Sequence, residues 1–206
     1  MCAGCGGGRG GGPPASAQRH RGIDVRRPGP GGPRRRPVTV WHEDAADVLV
    51  EAGVTVAAYV PDKRLSGLLD GLACRNVVMR SLPREEECIA YACGQRIGGG
   101  RPVVLMQCSG VGNCLNAYGA FAIPYRIGIP VIMSMRGVLG ERNPSQVPMG
   151  KAAVRLLETI GVQCISLRRH DQAGEFVRGV LDLAFGAQEN AVLVVEPELG
   201  GGREDG

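Results

Sequence analysis

The chain has 206 residues, 44% of them hydrophobic, which suits one well-filled core with appended tails. Its formal net charge of +4 hides an uneven distribution: eight arginines precede the first apolar run against the single Asp24, so the rest is mildly acidic. With 4% aromatic residues there is little to stack on bases, and a nucleic-acid-binding role is not indicated.

No apolar signal core follows Met1 and no apolar run reaches membrane length. Cys74, Cys88, Cys93, Cys108, Cys114 and Cys164 lie among Ala, Ile, Val and Leu as small core residues, so a reduced, cytoplasmic protein is expected. Cys2 and Cys5 form one CxxC pair with no second pair to complete a zinc site. Residues 1–37 are Gly, Pro and Arg with almost no large apolar side chain and are expected to be a disordered tail. A folded domain over 38–198 and a flexible Gly-rich tail over 199–206 complete the expected organisation.

Within that domain Ala46, Val48, Leu49 and Ala52 share one face of a helix over 43–52, closed by Gly53. A strand over 54–60 is broken by Pro61-Asp62, and a helix over 64–73 and a strand over 76–79 follow. Pro83 opens a helix with three acids in its first turn, where the dipole favours them, and Gly98-Gly99-Gly100 ends it. Strands over 103–106 and 130–134 flank a helix over 113–122, and a long polar loop runs from 135 to 150. A helix over 151–160, a strand over 162–167, a helix over 172–185 and a strand over 191–195 close the domain. Short connections and strict alternation predict an α/β fold: a three-layer, doubly wound, mostly parallel sheet covered on both faces.

Two segments stand out chemically. Gln107-Cys108-Ser109-Gly110-Val111-Gly112-Asn113 follows the apolar run Val103-Val104-Leu105, so a buried strand empties through a glycine turn into a helix N-terminus, where open α/β sheets bind ligands. The loop over 135–150 is too long and polar for a spacer in a compact domain. Cys108 sits at a strand-to-helix turn like a nucleophile elbow, so a cysteine-dependent hydrolase is one reading, although His42 and His170 have no supporting pattern around them.

Arg84-Glu85-Glu86-Glu87 leading to Gly94, then Leu105 through Asn113, then Ser134-Met135-Arg136-Gly137 and Gly140 through Gly150 resemble, in order and spacing, the pyrimidine-binding domain of thiamine diphosphate decarboxylases. The match is best to the alpha subunit of sulfopyruvate decarboxylase and the N-terminal domain of phosphonopyruvate decarboxylase. The resemblance implies that Glu85 is catalytic, hydrogen-bonding the aminopyrimidine ring so that its imino form can deprotonate the thiazolium carbon. It places Gln107, Ser109, Gly110, Gly112 and Asn113 at the cofactor ring, with Cys108 where an asparagine is expected.

Arg136, Lys63 and Gln146 then become candidate contacts to a dianionic keto acid, with Arg64, Glu141 and Asn143 beside them. Glu86 and Glu87 are read as acids complementing the helix dipole. The family holds the cofactor's diphosphate through magnesium in a domain marked by Gly-Asp-Gly, a motif that does not occur here. The resemblance therefore implies a hetero-oligomer in which a beta subunit carrying Gly-Asp-Gly holds Mg2+, with the active site at the interface. It implies a carboxy-lyase converting 3-sulfopyruvate or 3-phosphonopyruvate to the aldehyde and CO2. A non-catalytic ligand-binding or regulatory module of the same fold stays open beside it.

Overall fold

The computed structural model describes residues 40–199, so the expected tail over 1–37 and the segment beyond Leu199 lie outside the described residues. Helices and strands alternate: α1 (Trp41–Glu51), β1 (Val56–Tyr59), α2 (Ser66–Cys74), β2 (Val78–Ser81), α3 (Glu85–Ile97), β3 (Pro102–Gln107), α4 (Val111–Ala117), β4 (Pro130–Ser134), α5 (Val147–Thr159), β5 (Gln163–Leu167), α6 (Ala173–Leu181) and β6 (Ala191–Val195). The six strands form one sheet in the order β2-β1-β3-β4-β6-β5, and every pairing is parallel.

The period of two in the strands explains the three layers. Val103 and Leu105 of β3 face a core with Leu49, Leu68, Leu72 and Leu181 from α1, α2 and α6. Val104 and Met106 face the opposite core, with Ile89, Ala92, Val111 and Leu157 from α3, α4 and α5. The central strands β4 and β6 are buried along their whole length, whereas the edge strand β2 exposes Val78 and Ser81.

Several boundaries differ from the sequence expectation, among them the helix expected over 172–185, which is α6 followed by a π turn over Asp182–Gly186, and three have a clear local cause. The strand expected over 76–79 begins at Val78, because Asn76 takes a left-handed φ of 61° and the Val77 amide returns to the Leu72 carbonyl to finish α2. The helix expected over 113–122 is α4 followed by a π turn over Tyr118–Ala122, closed by Ile123 N–H donating to the Tyr118 carbonyl at 2.9 Å. The long loop is shorter than expected, since α5 starts at Val147 rather than Lys151. Pro148 lies in its first turn, where no backbone N–H is needed, and Gly150 packs so closely on the Arg136 carbonyl that a Cβ would overlap it.

From β1 the chain moves outward to β2, while β3 lies on the other side of β1. The connections leaving the C-terminal ends of β1 and β3 therefore diverge, a topological switch point of the kind at which open α/β sheets bind ligands in a crevice. The residues that follow β1, β3 and β4 lie at this end of the sheet.

Candidate active site

Asp62, just past β1, caps a single 3-10 turn over Lys63–Leu65 and organises this edge of the sheet. Its Oδ1 accepts from Arg64 N at 3.4 Å and from Gln107 Nε2 at 3.5 Å, and its Oδ2 accepts a short hydrogen bond from Ser134 Oγ. Gln107 Oε1 in turn accepts from Ser109 Oγ at 2.7 Å. One carboxylate thus ties together the ends of β1, β3 and β4, and it satisfies Ser134, which is fully buried. In the sequence, Ser134 stands out only as part of a motif and Asp62 only as a strand breaker, and neither is assigned a role in the site. The available signal was Ser134 itself, a hydroxyl at the end of a buried strand that must find a partner.

Beside this network the first residue of α3 reaches the glycine turn. Gly110 has φ −78° and ψ −10°, which any residue adopts, so its requirement is for space. A Cβ there would overlap Glu85 Cγ and Cδ and lie 2.6 Å from Oε1, which places the Glu85 carboxyl directly against the turn. Glu85 is half-buried, whereas Glu86 pairs with Arg84 at 2.7 Å and Glu87 is exposed, so the three consecutive acids have separate environments. Beneath Glu85 lie Cys88 and Cys114. Burial, then the Glu85 charge, pushes the Cys88 thiol up to about 12, and the same two causes raise Cys114. Gly112 and Asn113, also expected at the cofactor, are exposed on the first turn of α4.

The segment after β4 forms the third wall. Arg136 Nε and Nη2 donate to Glu141 Oε2 and Oε1 at 2.7 and 3.0 Å, and the Glu141 carboxylate also accepts from Gly137 N and Asn143 N. The Arg136 guanidinium, then the two backbone amides, hold the Glu141 carboxyl far below the usual carboxylate range. Arg136 N–H donates to Cys108 Sγ at 3.2 Å, joining the base of this loop to the glycine turn. Gln146 is half-buried, and its Oε1 is buried without a hydrogen-bond partner. Lys63 is exposed on the turn after β1.

Cys108 does not have the surroundings of a nucleophile. It is fully buried, burial pushes its thiol up, and its sulfur is engaged by the Arg136 backbone. Neither supporting histidine is near it in the fold: His170 Nδ1 accepts from Trp41 N at 3.3 Å and His42 lies against Gly67, both with the α1 and α2 layer. The arrangement instead brings the Glu85 carboxyl against the glycine turn that also carries the hydrogen-bonded Gln107 amide and Ser109 hydroxyl.

Comparison with known proteins gives a consistent picture. No family model matches the chain. It is 31% identical over 149 residues to the sulfopyruvate decarboxylase subunit alpha of Methanococcus maripaludis, a match covering 72% of this chain and 89% of that one. It is 34% identical over 99 residues to the phosphonopyruvate decarboxylase of Streptomyces hygroscopicus, covering 48% of this chain and 25% of that protein. Among solved structures, the 2-oxoglutarate:ferredoxin oxidoreductase from Magnetococcus marinus superposes with a TM-score of 0.61 at 11% identity. This chain covers 29% of that one, and the likeness concerns the fold. Among the described residues no helix is long and apolar enough to cross a membrane.

Proposed function

Because the chain belongs to the family of sulfopyruvate decarboxylase alpha subunits, we propose that it forms the pyrimidine-binding half of a thiamine diphosphate-dependent decarboxylase. Its substrate is 3-sulfopyruvate or 3-phosphonopyruvate, and its products are the corresponding aldehyde and CO2. The observation that carries this reading is the contact between Gly110 and Glu85: a glycine is needed there for no reason but to let one carboxyl lie on the turn. Gln146 Oε1 is a buried polar atom without a hydrogen-bond partner, on the same loop as Arg136.

These residues fit the cofactor. When bound, thiamine diphosphate supplies a carbon nucleophile and the electron sink that makes loss of CO2 feasible. Glu85, whose carboxyl lies against Gly110, would hold and return a proton at its carboxyl oxygen were the ring held at this turn. Gln107 is held by Asp62 and Ser109, which fixes the orientation of its amide, and with Asn113 it positions the ring edge. Ser109, Gly110 and Gly112 keep the backbone low so that the ring can approach.

Lys63, on the turn after β1, and Gln146, on the segment after β4, contact the substrate. Arg136 contributes there while paired to Glu141, so its part is to present the loop as much as to offer charge. A partner subunit carrying Gly-Asp-Gly holds Mg2+ and the diphosphate and completes the site. Mixing the chain with that subunit, thiamine diphosphate, Mg2+ and each keto acid should release CO2, with one substrate clearly preferred. Glu85→Gln should abolish turnover. If no combination consumes a keto acid, or Glu85→Gln retains full activity, the proposal fails.

A further inference from the structure

Between Gly137 and Glu141 the chain makes a closed loop with a firm base and an apolar tip. Arg136 and Glu141 clamp the base, with side chains only 16% and 7% exposed, and Glu141 N–H donates to the Val138 carbonyl at 3.0 Å. Gly137 and Gly140 take φ of +72° and +90°, conformations that side-chain-bearing residues rarely adopt. Gly137 is also pressed against the Gln146 backbone and Gly150, where a Cβ does not fit. This frame holds out two hydrophobic residues: Val138 is 37% exposed, and Leu139, at 103%, is the most exposed of the described large hydrophobics.

A leucine on a slack loop would fold back onto the surface. Here the Arg136–Glu141 ion pair and the packing of Gly137 against the Gln146 backbone and Gly150 hold the base of the loop that carries it into solvent. Rigid presentation of an apolar side chain lowers the entropy cost of docking and suits an anchor entering a pocket. The loop also stands at the rim of the candidate site. Its first residue, Arg136, bonds Cys108, and two residues earlier Ser134 bonds Asp62.

We propose that Val138 and Leu139 anchor this chain to the subunit that completes its active site, inserting into an apolar pocket of that subunit beside the shared cofactor. The inference rests on the reading above that a second subunit supplies the diphosphate half. A second copy of this chain would bring another pyrimidine-binding wall and leave the site incomplete, so the occupant is the partner.

The test measures binding, not turnover. With the full chain and its Gly-Asp-Gly-bearing subunit, Leu139→Asp and the double variant Val138→Ser/Leu139→Ser should each weaken the complex by about tenfold or more. The thermal midpoint of the isolated chain should stay as in the wild type, because neither side chain belongs to a core. A photo-crosslinking amino acid at position 139 should capture a peptide of the partner. Unchanged affinity in both variants, crosslinks only to a second copy of this chain, or no complex with the wild type would each overturn the anchor. A wild-type complex that Leu139→Asp disrupts but that consumes no keto acid would sink the decarboxylase reading and leave the anchor standing. An active complex indifferent to position 139 would do the reverse.

Discussion

Gly110→Ala separates the chemistry of this site from its stability. The backbone at Gly110 admits alanine, and the exchange restricts the unfolded chain, a gain of about 0.4–1 kcal/mol. The new methyl overlaps Glu85 Cγ and Cδ, the far half of a flexible, half-buried side chain and not backbone, so Glu85 turns away. An imperfect rotamer costs about 0.5–1.5 kcal/mol, and the two terms nearly cancel. Urea unfolding of the isolated chain should therefore place Gly110→Ala within about 1 kcal/mol of wild type. The carboxyl, however, has left the turn. In the complex with the diphosphate-binding subunit, decarboxylation should fall about 100-fold or more, the scale of a lost acid–base group. The double variant Gly110→Ala/Glu85→Gln should be no worse than either single one, because both remove the same interaction. Full activity in Gly110→Ala, or losses that multiply in the double variant, would refute the reasoning.

Other consequences are measurable on the chain itself or on the complex. Glu141→Gln breaks the clamp on the loop and should cost about 1.5–3 kcal/mol at pH 7, the scale of charge-assisted hydrogen bonds between largely buried side chains. The Glu141 carboxyl is depressed below its unfolded value of about 4.3, so its contribution is complete above that pH and fades as pH falls toward the native pKa. The gap in thermal midpoint between wild type and Glu141→Gln should therefore narrow below about pH 4, and a constant gap down to pH 3 would contradict the assignment. Lys63→Gln should raise KM for a sulfonated or phosphonated keto acid with kcat and the KM for pyruvate unchanged; equal effects on all substrates would remove Lys63 from the site. In native alkylation with iodoacetamide at pH 8, followed by peptide mass mapping, the exposed Cys74 should label among the described thiols. Cys88 and Cys164, pushed up by burial to about 12, and Cys93, to about 11, should stay intact until the chain unfolds.

The layers of this fold were legible in the sequence because both faces of the central strands are covered. Val103 to Met106, Val131 to Met133 and Ala191 to Val195 are unbroken apolar runs, and the glycine and proline clusters between them punctuate the chain where it turns. The boundaries of β2 and α5 were not legible, since Asn76 and Pro148-Met149-Gly150 use loop-type residues to finish or start helices. In the site, Glu85 and Gly110 could be singled out separately from their motifs, but their contact could not, because 25 residues and a strand separate them in the chain. The Asp62 network was invisible for the same reason: its bonds to Gln107 and Ser134 span 45 and 72 residues, and no local periodicity records them. Arg136 stood out as a cation, whereas its commitment to Glu141 depends on two left-handed glycines that close the loop.

That commitment bears on how a doubly charged substrate would be recognised. Paired to Glu141, Arg136 brings no net charge to the rim of the crevice, and Asp62 adds a negative one at its floor. The positive side chains closest in sequence to that floor are Lys63 and Arg64, and the Asp62 cap fixes the turn that carries them. On the proposed reading, a sulfonate or phosphonate would therefore be met by Lys63 and Arg64 on the turn after β1, with Gln146 on the segment after β4. Asp62 then has two duties in one place. It orients Gln107 through Oδ1, and it caps the turn that carries Lys63 and Arg64.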